Sequence, residues 1–598
     1  MARTAKPTTA AAPPARRELL PARQVDPRAA VKTGLAAGGT AAFVVASGIF
    51  QQFNDTGVVR GVQLGYLVLV GVPVVLGYLA AKPPPQLEGY EAARPGVRNL
   101  AAGAIAGALT GLLLGLFILL AASINIRPVF TNVRPDVVES LTIGGSAPLA
   151  VLLWIVVGTA LGLLAGGLHF IPERWRRAAF MAVVAFLAFA LLEDLANTIF
   201  DNTGAFYISD FLYERGVLSP LGAVVVFGLF FAVSAGLYGR SVAVADIVDR
   251  FPERRRRPAR LAIGAVIVLL VLVLPLILER SFTHILNVAG IFLLMALGLN
   301  IVVGLAGLLD LGYVAFFAVG AYTTGILTSP ISPAFAPQLN FWTALPFVVL
   351  AAAMAGIVVG TPVLRMRGDY LAIVTLGFGE ITRLIVNSDW AGPVFGAARG
   401  IRQIPNITLP VANVELVDPQ QLFFVILLFL ILVVYISYAL QDSRMGRAWM
   451  AIREDETVAE AMGVNVVAAK LWAFIIGAVL AGFGGALFAT QVGSVFPHTF
   501  EVLVSITVLA VIIIGGIASV PGVILGSLVL VALPEILRQF EAYRFLIYGA
   551  VLIFMMLKRP EGFIPSRRRA EELHEEELGQ DAWLRAHQER QATETEAG

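Results

Sequence analysis

The chain has 598 residues, 58% of them apolar and 14% charged. A soluble domain carries about 25% charged residues, so a cytosolic enzyme and a disordered scaffold are excluded and the apolar excess has to face lipid. Forty-three basic residues against 41 acidic ones leave a formal charge of +2, and the lack of cysteine excludes disulfides, thiolate catalysis and Cys-based metal sites.

Residues 1–33 are rich in Ala, Pro and Arg and are expected to form a disordered cytosolic tail. A spanning helix needs about 20 mostly apolar residues. Six such runs follow, at roughly 34–51, 61–81, 99–123, 147–170, 178–200 and 219–239. In the third, Gly103, Gly107, Gly111 and Gly115 recur every four residues, as do Gly158, Gly162 and Gly166 in the fourth. That spacing lines one helix face with small residues and predicts close helix packing. Glu193, Asp194 and Asn197 fall near a span end, where solvation at the interface accounts for them.

A basic linker, 240–260, contains Glu253-Arg254-Arg255-Arg256-Arg257. Ten more apolar runs come after it, at roughly 261–279, 285–305, 311–328, 343–363, 370–387, 421–440, 471–491, 502–519, 523–538 and 544–557. The predicted fold class is therefore an all-α polytopic membrane protein with about 16 transmembrane helices. With both termini in the cytosol, 33 of the 43 basic residues fall in inner segments and nine in outer ones, and Arg383 lies inside a run. This asymmetry matches the positive-inside rule and sets the expected orientation. The tail 566–598 opens with Arg567-Arg568-Arg569 and continues with five glutamates, a short soluble helix with a charged face.

Ionisable chemistry is sparse. The five lysines, Lys6, Lys32, Lys82, Lys470 and Lys558, never stand in a G-x-x-x-x-G-K-[ST] setting, so the chain carries no P-loop. Five scattered histidines make no H-E-x-x-H. No metal or cofactor is expected, and nucleic acid is not among the expected partners.

The most informative stretch is the inner segment between runs 421–440 and 471–491. It reads Asp442-Ser443-Arg444-Met445-Gly446-Arg447-Ala448-Trp449-Met450-Ala451-Ile452-Arg453-Glu454-Asp455-Glu456, then Thr457-Val458-Ala459-Glu460-Ala461-Met462-Gly463-Val464-Asn465. Ala448, Ala451, Ile452 and Ala459 mark one helix face with charges interleaved on the other, and Gly463 with Asn465 predicts a C-terminal stop. One short amphipathic helix in a tight loop suits a rigid lever for a cytosolic partner. The acidic run Glu454–Glu456 disfavours the alternative, a helix lying on an anionic leaflet.

Here the sequence resembles the permease subunits of branched-chain amino acid ABC importers of the LivM type. Gly446–Glu456 follows the G-R-A-W-x-A-[IL]-R-E-D-E pattern of that family, with a late glycine at Gly463. Matching segments in the same order are Gly304–Phe316 with Gly320-Ala321-Tyr322, Leu364–Ile381, Ala481–Ala489 and Pro534–Arg538. The resemblance covers about 261–565 and implies a ten-span permease core, with 34–239 left as a six-span extension. It further implies a homologous second permease, two cytosolic ABC ATPases, an extracytoplasmic solute-binding protein and an amino acid substrate carried across the bilayer. The ATPase-coupling residues would be Arg444, Gly446, Arg447, Arg453, Glu454, Asp455, Glu456, Glu460 and Gly463. The sequence departs from the family before the Ile404-Pro405 pair, where Ala391–Ile401 stands in place of a Gly-Gly-Pro-x-Gly-Ile stretch.

Polar groups inside spans are costly and lean functional. The translocation-path candidates are Asn300, Asp310, Tyr313, Thr375, Glu380, Arg383 and Gln491, with Asn287 a further buried polar residue. Glu380 and Arg383 are spaced to pair on one helix face, and Asp310 is expected to cap the helix that follows it. A zwitterion needs an anionic and a cationic or helix-terminal partner plus an apolar slot, which Glu380, Arg383 and a helix break at Gly377–Gly379 could supply. Arg365, Arg367 and Asp369 form a short inner loop, a headgroup anchor or a contact with the ATPase or with loop 442–465. The competing readings are a secondary transporter of small solutes driven by an ion gradient and, least supported, a membrane-embedded enzyme, for which no catalytic constellation is present.

Overall fold

In the computed structural model of the protein, residues 27–83, 95–236 and 268–536 are described, apart from 334, 364, 365, 367, 368 and 410–413; single positions at 266, 549, 553 and 555 and the stretch 561–564 complete the set. Residues 1–26 of the N-terminal tail, the tail 566–598, the linker 240–260 and Arg365 and Arg367 lie outside the described residues. Residues 27–33, expected to be disordered, are instead helical and open Pro27–Ala46, because proline at a helix start and the following alanines favour the helix. The chain divides into two compact units, 1–253 and 254–598.

The protein is an all-α polytopic membrane protein. Among the described residues, eight helices are long and apolar enough to cross a membrane. A ninth span is formed if the bent pair Glu173–Leu191 and Glu193–Asn202 counts as one, and six shorter apolar helices accompany them. Every apolar run read from the sequence overlaps one of these helices except 544–557, which lies almost wholly outside the described residues.

In the first unit, helices Val97–Ser123 and Ala147–Gly167 form the most extensive pairing. Their two glycine ladders face each other: a Cβ at Gly107 would overlap the Gly158 carbonyl oxygen, and one at Gly162 would overlap that of Gly103. Backbone therefore touches backbone, and dispersion over the whole contact replaces side-chain interdigitation. The predicted span 178–200 bends by 77° after Leu191. At the bend, Asn197 donates to Glu193 Oε1 (2.9 Å) and accepts from the Ser209 hydroxyl (2.6 Å), so these polar residues bond one another as well as facing solvent. Unanticipated from the sequence is a small four-stranded sheet joining two loops, Gly57–Val59 and Val62–Gln63 with Tyr213–Glu214 and Val217–Leu218. Such two- and three-residue strands are too short to leave a periodic signal.

The second unit is built around helix Val466–Val492, whose glycines and alanines let Val314–Thr328 and Phe341–Val363 pack closely. One continuous apolar core runs through it, from Ile291 to Met555, with Tyr313, Phe316, Phe317 and Phe474 almost fully enclosed. Helix Arg280–Leu299 passes into a π-helical turn, Asn300–Leu305, and stops; after an irregular segment the next helix starts at Val314. Helix Asp369–Asn387 is continuous through Gly377 and Gly379, so the break expected there is absent. Gly379 instead accommodates close approach by Gly312 from the segment before Val314.

Candidate functional site: a capped loop gripping an interrupted helix

The loop 442–465 folds as two helices, Arg444–Glu454 and Glu456–Ala461, rather than one. Asp455 separates them. Its extended backbone ends the first helix, and its carboxylate accepts from Thr457 N (2.8 Å) and Val458 N (2.9 Å), capping the second. Ser443 caps the first helix through Gly446 N (3.1 Å), and Asn465 caps Val466–Val492 through Ala468 N (3.0 Å). Three side-chain caps in 23 residues hold every helix start in the loop, and each is worth about 1 kcal/mol. Asn465 thus opens the next helix, while Gly463, at φ 87°, makes the turn between them.

Two further contacts seat the loop on helix Val466–Val492. Trp449 is fully buried and its indole N–H donates to the Ala469 carbonyl (2.7 Å). Lys470, 2% exposed, pairs with Glu456 at 2.8 Å. Gly446 lies so close to the carbonyls of Leu440 and Gln441 that a Cβ there would overlap the former. Arg447 turns back to the Asp442 carbonyl (2.9 Å). The outside of the loop presents Arg444, Arg447, Glu454, Asp455 and Glu460 among its charged groups, together with two large exposed apolar side chains, Val458 and Met462.

Arg453 differs from its neighbours. It is half-buried, and its Nη1 donates to the carbonyl of Gly304 (2.7 Å), in the π-helical turn 149 residues away. Asn300, at the start of that turn, accepts from Ala518 N (2.9 Å). Beyond the break, Asp310 is buried; one carboxylate oxygen accepts from Gly312 N (2.9 Å) and the other has no hydrogen-bond partner. The Thr375 hydroxyl lies beside it, accepting from Leu311 N (3.1 Å) and donating to the Ala372 carbonyl (3.1 Å). Tyr313 donates to the Gly477 carbonyl (2.7 Å). Asp310 does not cap the helix from Val314: Ser505, on another helix, accepts from Val314 N (2.9 Å). A turn of three residues separates Asp310 from the helix start, and within it Asp310 binds Gly312 in a local Asx-type turn.

The translocation-path candidates accordingly do not form one cluster. Asp310, Tyr313 and Thr375 gather at the interrupted segment, with Asn300 at its beginning. Glu380 and Arg383 pair on helix Asp369–Asn387, with Nε–Oε2 at 3.0 Å and a second short contact from Nη2 to Oε1, both side chains partly exposed. Gln491 meets His284 (3.2 Å), and Asn287 donates to the Pro419 carbonyl (2.9 Å). Sequence reasoning passed over Lys470 and Ser505. A lysine opening an otherwise apolar helix was a visible signal for the first; a serine in an apolar helix offered none for the second. Among the described residues no group of acids and histidines could hold a metal ion.

An interrupted helical span and a polar loop capped between two spans, set among close-packed apolar helices, define a polytopic membrane protein, and its relatives are transport permeases. The family described as branched-chain amino acid transport system, permease component, matches residues 281–556. The chain is 40% identical over 315 residues to the high-affinity branched-chain amino acid transport system permease protein LivM of Salmonella typhimurium, covering 49% of this chain and 72% of that one. The Escherichia coli LivM protein matches to the same extent. LivH of Salmonella typhimurium is 30% identical over 137 residues, 23% of this chain and 43% of its own. No solved structure matches. The chain belongs to the branched-chain amino acid transport permease family.

Proposed function

We propose that this chain is the transmembrane permease subunit of an ATP-driven importer for branched-chain or related hydrophobic amino acids, with loop 442–465 as the surface that meets the ATPase. It lies in the plasma or inner membrane with both termini in the cytosol, and works with a homologous second permease, two ATPase subunits and an external solute-binding protein. Transport is carried by the core 261–565, and 34–239 is a six-span extension for packing or assembly. The match to the permease family, which falls wholly in the second unit, supports this division.

The observation that carries the ATPase assignment is the build of the loop. Its inner side is locked by Trp449 and the Lys470–Glu456 pair, and its outer side presents Val458 and Met462 amid charges. A lever needs both properties: a rigid seat to transmit force, and an apolar anchor within a polar rim to bind its partner.

Leucine uptake into proteoliposomes, with the chain reconstituted beside its second permease, ATPases and binding protein, tests the assignment. Uptake that needs ATP and all partners is expected. Uptake driven by an ion gradient with this chain alone would overturn it in favour of secondary transport, and Glu380 and Arg383 would then be the coupling pair to mutate first.

A further inference from the structure

We propose that Arg453 acts within the permease rather than on the ATPase: it is the positioning residue that ties loop 442–465 to the helix break at 300–308, delivering loop movement to the segment that carries Asp310 and Tyr313. This rests on the reading of the loop as the ATPase contact.

A helix that stops leaves its last carbonyls without intrahelical donors. Here the π-helical turn uses some of them locally, with Ala306 N bonding Ile301 O (3.1 Å) and Leu308 N bonding Val302 O (3.0 Å). The Gly304 carbonyl is served instead by Arg453, from the loop. Gly307, at φ 71°, turns the chain directly beneath the same side chain; a Cβ there would stand 2.9 Å from Arg453 Cγ and 3.1 Å from its Cβ. Arg453 therefore meets the break through a charge-assisted hydrogen bond and through packing of its stem.

The other side of the break is held as firmly. Asn300 receives the backbone N–H of Ala518, whose own φ is 61°. The strand of chain leaving the break is then fastened twice, by Leu311 N to Thr375 and by Tyr313 to Gly477, on two different helices. Between these fixed points lies the buried Asp310 with an unpartnered oxygen. A displacement of the loop helix Arg444–Glu454 is transmitted by Arg453 to Gly304 and Gly307. The segment cannot absorb it without changing the bonds around Asp310, since close-packed interiors shift between discrete arrangements rather than deform smoothly. A π-helical turn is a fitting place for such a joint, because such turns are rare and recur at functional sites.

The test uses the full chain, with Arg453→Met to remove the donors and keep an apolar stem, and Arg453→Lys to restore a single donor. Hydrogen exchange on the purified chain reads the joint directly, without partners. In Arg453→Met, exchange at Ala306 and Leu308 should rise about tenfold, with the amides of 466–492 unchanged. In the complete complex in proteoliposomes, the same variant should keep its ATPase subunits and its ATP hydrolysis while solute uptake per ATP falls about tenfold, and Arg453→Lys should recover part of that loss. Unchanged exchange at 306–308 would overturn the proposal, as would loss of the ATPase subunits from an otherwise intact Arg453→Met complex, the mark of a direct ATPase contact. If Arg453→Met unfolds the unit, Arg453→Gln, which keeps the Cβ and Cγ against Gly307 but ends short of the Gly304 carbonyl, carries the test: exchange raised only at Ala306 and Leu308 supports the joint, and wild-type exchange there refutes it. A wild-type complex that takes up no solute with ATP would count against the transport reading, while the exchange result still decides the role of Arg453.

Discussion

The glycine-ladder pair of the first unit and the loop-and-break assembly of the second both bring distant backbone segments into tight contact, by opposite means. Between Val97–Ser123 and Ala147–Gly167 the helices are unbroken and satisfy their own hydrogen bonds, so the contact needs only small residues. At 300–313 the helix is interrupted, and the backbone groups it frees are taken by side chains from elsewhere: Arg453 on Gly304, Thr375 on Leu311, Ser505 on Val314. The first arrangement has no groups that exchange partners when it moves, and so it suits a static scaffold. The second is a set of specific, exchangeable bonds, which is what a moving part requires.

Four substitutions probe that contrast, beginning with the largest effect. Trp449→Ala removes a fully enclosed indole and its bond to Ala469; a loss of about 3–5 kcal/mol is expected for such a truncation. It should appear as a lower unfolding temperature of the chain in detergent and as raised hydrogen exchange across 444–461. Gly107→Leu forces a side chain against the Gly158 carbonyl and should cost about 1–3 kcal/mol or more. Protease protection of the first unit should fall, while uptake per inserted molecule by the complete complex stays near wild type. A several-fold drop in uptake per inserted molecule in Gly107→Leu would end the division into scaffold and moving part.

Ser443→Ala deletes one cap and should cost about 1 kcal/mol, with local exchange rising at the first turn of Arg444–Glu454 and little change in global melting. Smallest in stability is Met462→Glu, at a side chain 81% exposed; unfolding should move by less than about 0.5 kcal/mol. Its effect should fall on assembly, as ATPase subunits wash away from the purified complex at lower salt than from wild type. Full retention would show that the apolar tip is not the docking anchor.

Much of the loop was legible along the chain. Its position between two apolar runs and its amphipathic face follow from local residue order, whereas the close approach of Gly446 to the Leu440 carbonyl depends on the chain path. Its division at Asp455 was not anticipated, because Asp can sit on the solvated face of one helix or cap a second, and only the chain path decides between them. The same ambiguity applied at Asp310. Its place before a helix favoured a cap, yet the helix starts four residues later and takes its acceptor from Ser505. Gly377 and Gly379 suggested a break because glycine weakens an isolated helix; inside the core, packing against Gly312 gives Gly379 a different use and the helix continues.

The sequence by itself determined the membrane class, the succession of apolar helices, the glycine ladders and the polar loop. These depend on hydropathy and periodicity within about 20 residues, where each residue contributes to a summed signal. The tertiary structure alone decided which arginine of the loop turns inward, which asparagine holds Ala518, and where the interrupted helix finds its missing donors. Those bonds join residues 149 and 218 positions apart. Several side chains in the sequence could have made each of them. The choice follows from which groups the packed helices bring within hydrogen-bond reach once a buried carbonyl or amide must be satisfied.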